Sequence, residues 1–266
     1  MRQRAGRTMA VHVLWTGVLL LGGCGGGGGN GDSGKTIARI QAIGERRGGS
    51  GDEIAFVTER LKNGNTEERS AAAWTLGRAG GPDSIPVLQE ALRSDPDLYV
   101  RVNTATALGN LGGPGTEEAL VELLSEEAAD LQAAALKALG NRRYLGAWEA
   151  VGEVLTGGPP ELRPLAGDAL ASMQNPDSVG VLIAALGDED KEVRKVAAFA
   201  LGKLADRQAV PALLPLLEDP EWDVRANAAQ ALGMIGDPSA RAGLEAAAGD
   251  PDEQVQMAAR RALGKL

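Results

Sequence analysis

Val224-Arg225-Ala226-Asn227-Ala228-Ala229-Gln230-Ala231-Leu232-Gly233 is the stretch whose reading decides the fold. Val224, Ala228, Ala231 and Leu232 fall at helical spacing on one face, and the run closes on a Leu-Gly pair. Working outward in both directions, the same closure returns at Gly77, Gly109, Gly140, Ala171, Gly202, Gly233 and Gly264, in a step of 32 residues followed by five steps of 31. A constant period of about 20–50 residues marks a solenoid, in which each unit buries its apolar face only by stacking on its neighbours.

Aligned on that closure, the copies agree. Nine residues earlier stand Val100, Leu131, Leu162, Val193, Val224 and Val255, with Glu68 as the exception. Immediately before the closure stand small-Leu pairs, from Thr75-Leu76 and Ala107-Leu108 to Ala262-Leu263. These positions predict the interior of the stack. Each such helix is preceded by a shorter apolar one, such as Ser84 to Leu92 or Val210 to Leu217, and by an acidic turn. In Asp95-Pro96-Asp97, Asp219-Pro220-Glu221 and Asp250-Pro251-Asp252 the proline is expected at the first helical position. The closing glycine is expected to take the left-handed cap conformation. Ala171 lacks that freedom and Gly157-Gly158-Pro159-Pro160 lies nearby, so the fourth repeat is expected to be the most irregular. The fold class is therefore all-α, a right-handed α-solenoid of about seven helical hairpins over residues 51–266, preceded by a degenerate capping helix in 36–50 that ends in Ala42-Ile43-Gly44.

The N-terminus reads differently. Residues 1–12 hold three arginines, residues 13–21 are mostly apolar, and Leu21-Gly22-Gly23-Cys24 follows. So short an apolar core suits a secretion signal, since a membrane-spanning helix needs about 20 residues. Leu21 to Cys24 resembles a bacterial lipobox, which implies cleavage after residue 23 and lipid attachment at Cys24. Residues 24–35 are expected to form a Gly-rich tether, with a root-mean-square span of about 16–19 Å for ten such residues. Gly25 stands where an aspartate would resemble an inner-membrane retention signal, so the expected location is the cell envelope, at the periplasmic face of the outer membrane.

Charge narrows the partners. The formal net charge is -9, and the three arginines within residues 1–12 are the only charged residues ahead of Asp32. Counterion release on nucleic acid needs a basic stripe, which this acidic chain does not offer. The partner class expected is a protein or peptide, with the membrane engaged through Cys24, and with neither nucleic acid nor a small-molecule substrate.

Eight residues before the closure an arginine recurs as Arg69, Arg101, Arg163, Arg194 and Arg225, replaced by Gln132 and Gln256. Asp95, Asp188 and Asp219, with Asn63, stand six residues before four of these arginines. With the Val-Arg-x-x-Ala-Ala-x-Ala-Leu-Gly string, this pairing resembles the HEAT repeat, in the short form described in phycobilisome lyases, over residues 52–266. The resemblance implies a structural ladder between successive repeats built from Asp95, Arg101, Asp188, Arg194, Asp219 and Arg225.

Reactive chemistry finds little support. Gly29 to Thr36 fits the phosphate-loop pattern G-x4-G-K-T, but no strand delivers it and polyglycine precedes it, so the match reads as accidental. The lone histidine, His12, lies in the expected signal segment. HEAT-like deoxyhypusine hydroxylase holds iron with His-Glu pairs, and those are absent here. Asp188-Glu189-Asp190 reads as helix-start acids. No catalytic, cofactor or metal residue is assigned, and the chain is read as non-enzymatic.

If the second helices line the concave face, as in HEAT proteins, the positions three before the closure face outward: Trp74, Thr106, Lys137, Asp168, Phe199, Gln230 and Arg261. This stripe varies while the interior does not, and its two aromatics can act as anchors. The first reading is an interaction scaffold tethered to the envelope. A bilin lyase-like or chaperone-like activity, implied by the repeat subtype, is the alternative.

Overall fold

The computed structural model describes residues 30–266, all of whose regular structure is helical. Helix α1 (Asn30–Glu45) comes first. Seven hairpins follow. They are α2 (Gly51–Asn63) with α3 (Thr66–Ala79), α4 (Ile85–Ser94) with α5 (Leu98–Leu111), and α6 (Thr116–Glu122) with α7 (Ala129–Arg142). Then come α8 (Trp148–Gly157) with α9 (Arg163–Met173), α10 (Val179–Ala185) with α11 (Lys191–Leu204), α12 (Val210–Leu213) with α13 (Trp222–Ile235), and α14 (Arg241–Ala247) with α15 (Glu253–Leu263).

The interior follows the repeat register. Val100, Leu131, Val193, Val224 and Val255 are fully buried, as are Ala72, Thr104, Ala135, Ala166, Ala197, Ala228 and Ala259 five residues before each closure. Glu68, the exception, faces α1, where Ser33 donates to its carboxylate at 3.0 Å and Arg60 lies 3.8 Å away.

Each second helix packs extensively on the next, α3 on α5 through to α13 on α15, whereas successive first helices approach one another less closely. A stack that is tight along one row and splayed along the other must curve, with the tight row inside. The second helices therefore form the inner face. A cleft of about 460 Å³ opens on the splayed side between α2 and α4.

The repeated glycines make this tightness possible, and they do so inside the helices rather than at their caps. A Cβ on Gly77 would lie 2.6 Å from Ala107 Cα, one on Gly140 2.8 Å from Ala169 Cα, and one on Gly233 2.6 Å from Ala262 Cα. All the inner helices but α15, which ends at Leu263, run on past their closing residue, and in α1, α7, α9, α11 and α13 a left-handed residue comes three positions later, as Arg47, Arg143, Gln174, Ala205 and Gly236. The expected cap role thus belongs to those residues. In the fourth repeat Ala171 fits because the close approach has moved back one turn: a Cβ on Gly167 would lie 2.3 Å from Val196 Cγ2. Irregularity there falls at the start of α9, which is 11 residues long against 14 for α7 and α11, because Pro159-Pro160 displaces the first turn.

Two further expectations are corrected. Pro96, Pro220 and Pro251 each precede the residue that caps the helix (Asp97, Glu221, Asp252), so they lie outside the helix and not at its first position. There they hold the preceding aspartate extended, as at Asp95 with ψ 128°. Helix α1 begins at Asn30, so residues 30–35, expected in the tether, are helical; Asn65 and Glu68 of α3 hold Ser33 in place. A helical backbone over residues 30–36 of the phosphate-loop pattern leaves no loop to wrap a phosphate. The signal segment 1–23, Cys24, His12 and residues 25–29 lie outside the described residues.

Candidate functional site

Along the inner face the seven variable positions project from α3, α5, α7, α9, α11, α13 and α15 in turn. Thr106, Lys137, Asp168, Gln230 and Arg261 are exposed, while Trp74 and Phe199 are half-buried. Trp74 lies against Gly44 of α1, where a Cβ would come within 2.5 Å of its ring. Both aromatics carry a cation from one turn later: Arg78 is 4.8 Å from the Trp74 ring centre, and Lys203 is 5.5 Å from that of Phe199. This second row, from Arg78 to Lys203 within the helices and Lys265 just past the end of α15, continues the stripe and was missed in the sequence. Its signal was present, because residues four apart share a helix face.

Asp168 combines exposure with an unfavourable setting for charge. Burial by the walls of the trough pushes its carboxyl above the ordinary aspartate value, and Lys195 pulls the other way. Lys195 itself bridges Glu192 and, at 3.7 Å, Asp223 of the next repeat.

Behind the face runs the ladder. Arg194 donates to both oxygens of Asp219 at 2.8 and 2.9 Å, and its remaining nitrogen donates to the Asp188 carbonyl at 2.9 Å. Arg225 does the same to Asp250 and the Asp219 carbonyl, and Arg69 to Asp95 and the Gly64 carbonyl. Arg163 reaches Asp188 at 2.8 Å, and Arg101 reaches Glu126 at 2.7 Å. Each arginine therefore takes a carboxylate of the following repeat, 25 or 26 residues on, and for Arg194 and Arg225 the aspartate six residues before contributes a carbonyl, whereas Arg101 donates to the Leu92 carbonyl. Glutamine stands in the arginine position at Gln132, 25 residues before Gly157, and at Gln256, and each donates to a carbonyl of its own hairpin, Leu124 and Asp250.

The electrostatics match the geometry. At Asp219 burial raises the carboxyl pKa, but Arg194, the Glu221 amide and Arg225 together hold it below the ordinary value. Asp250 is lowered chiefly by Arg225. Asp188 and Asp190, part of the acidic run, serve Arg163 and the start of α11. Among the described residues no three His, Cys, Asp or Glu side chains converge as a metal-binding group, and no helix is long and apolar enough to cross a membrane.

Comparison with known proteins follows this geometry. A family model described as HEAT repeats matches residues 37–108, 54–140, 85–157, 148–218 and 181–264. Among solved structures, an engineered protein superposes with a TM-score of 0.56 at 23% identity, covering 88% of this chain and 79% of its own. The CpcE–CpcF complex of phycocyanin lyase from Nostoc sp. gives 0.51 at 23% identity, covering 79% of this chain and 86% of the other. The Escherichia coli protein YibA gives 0.52 at 18% identity, covering 91% and 100%. No curated protein matches the chain in sequence.

Proposed function

From the HEAT-repeat family, to which this chain belongs, we propose that it is a non-enzymatic scaffold that holds a protein partner on its inner face and is itself tethered to the bacterial cell envelope by lipid at Cys24. One observation carries the binding half: a varied, solvent-facing stripe set on a frame whose interior repeats almost without change. A rigid curved surface of this kind supplies contact area rather than reacting groups. Likeness to phycocyanin lyase at this identity is one of fold and carries no activity to this chain.

The tethering half rests on Leu21-Gly22-Gly23-Cys24, with five glycines between Cys24 and Asn30. One attached chain contributes about 0.8 kcal/mol per buried methylene, and several chains together give stable anchoring. The outer-membrane periplasmic face is the location that Gly25 favours.

Metabolic labelling with palmitate tests the anchor, with Cys24→Ala expected to abolish incorporation; label retained in that variant would refute it. Photo-crosslinkers at Thr106 and Gln230 test the inner face. Adducts to a discrete protein are expected from these positions and not from first-helix sites such as Arg93 or Arg241. The reverse pattern would sink the reading.

A further inference from the structure

Charge is segregated on the inner face against the trend of the whole chain. The chain carries 36 acids to 27 Lys and Arg. Yet the lane formed by the stripe and the row one turn later holds five cations, Arg78, Lys137, Lys203, Arg261 and Lys265, to one acid, Asp168. Among the described residues none of the five forms an ion pair with a carboxylate. Arg78 and Lys203 lie over aromatic rings, while Lys137, Arg261 and Lys265 are exposed. The one acid sits where burial already disfavours its charge.

Acids collect along the opposite edge of the trough, where the second helices begin: Glu67, Asp130, Glu161, Glu192 and Asp223. A negatively charged ligand is repelled from that edge and drawn to the lane. The aromatics add apolar contact four repeats apart, on α3 and α11. Successive inner helices lie about 8–10 Å apart, so Trp74 and Phe199 are separated by roughly 32–40 Å, the reach of about 10–12 extended residues.

Resting on the scaffold reading, we propose that the partner presents an extended acidic segment of about a dozen residues, which lies along the cation lane and packs bulky apolar side chains on Trp74 and Phe199. Nucleic acid, the other polyanion, is disfavoured by the acidic edge, which would face its second line of phosphates.

The test uses the full-length chain in detergent and two fluorescein-labelled probes of about twelve residues. One alternates Glu with Leu, and the other alternates Lys with Leu. The Glu probe is expected to bind at least about tenfold more tightly, with affinity falling as salt rises, and Lys137→Glu with Lys203→Glu and Lys265→Glu should reduce it by about tenfold or more. Charge reversal at Arg93 and Arg241, on first helices, should leave binding unchanged. Circular dichroism establishes that the triple variant is folded; if it is not, the Lys→Gln triple replaces it. Equal or tighter binding of the Lys probe, no binding of the Glu probe, or an equal effect of the first-helix changes overturns the proposal. The crosslinkers at Thr106 and Gln230 separate the two levels. A partner captured through a basic or neutral segment overturns the acidic assignment alone, whereas no inner-face adduct at all removes the scaffold reading beneath it.

Discussion

Gly109→Ala should destabilise this protein, although the same change inside an isolated helix stabilises it by about 1 kcal/mol. Gly109 lies within α5, and an added Cβ would stand 2.5 Å from Ala138 Cβ and 3.2 Å from Ala138 Cα on α7. Carbon atoms pack at about 3.5–4.0 Å, so the two helices must part by roughly 1 Å, which forfeits a quarter to a half of the dispersion attraction across that contact. Overpacking of this kind costs about 1–3 kcal/mol, and after the propensity gain the net loss is expected to be about 1–2 kcal/mol. Ala138→Gly alone costs about 1 kcal/mol in helix propensity. In the double variant the glycine simply changes sides, so the two losses should fall short of additivity by about 1 kcal/mol or more. Urea unfolding followed by circular dichroism measures all three, with unchanged slope as the sign that the array still unfolds as one unit. Gly264→Ala is the control, because a Cβ there meets nothing closer than 3.6 Å. A stabilising Gly109→Ala, or strict additivity in the double variant, would refute the view that glycine is present for helix-to-helix contact.

Arg194→Ala should cost about 2–3 kcal/mol in the same assay, because it strands Asp219, whose side chain is 8% exposed, without its charged partner; Gln132→Arg should gain nothing, since position 157 is glycine. Asp219 and Asp250 both titrate below the ordinary aspartate value when folded, so their stabilisation is complete above about pH 3.9 and is lost as pH falls through the folded values. Acid titration of Asp250→Asn should accordingly show a shallower loss below about pH 4 than the parent. Asp168 has the opposite sign: its raised value means that the folded state loses stability as pH rises past about 3.9, so Asp168→Asn should be the more stable protein at neutral pH. Ala205 holds φ at 54°, and Ala205→Gly should raise stability by about 0.5–1 kcal/mol, the left-handed penalty less the extra freedom of the unfolded chain.

Legibility in the sequence followed the kind of constraint involved. Burial was read correctly at Val224, Ala228 and Leu232 and their counterparts, because helical periodicity maps directly onto a face. The role of the closing glycine, which lies across a helix-to-helix boundary, was misassigned. Gly233 was read as a cap because Leu-Gly so often ends a helix, yet its reason is Ala262, 29 residues away. The ladder between successive repeats was implied by the family resemblance and not by spacing alone, and the carboxylate that Arg225 takes is Asp250, in the next repeat. The start of α1 escaped because a glycine-rich run has poor helix propensity, and only contact with Asn65 and Glu68 explains its order from Asn30.

The central claim is that one uninterrupted inner row of helices runs through the irregular fourth repeat. Spin labels at Thr106 and Gln230, on α5 and α13, in a Cys24→Ser background give the most direct measurement by pulsed electron resonance. Four interhelical steps of about 8–10 Å place the labels about 30–40 Å apart, and a single narrow distribution in that range is expected. A broad or two-peaked distribution would mean that the chain hinges at α8 and α9 into separate lobes, and no continuous face would remain for a partner to occupy.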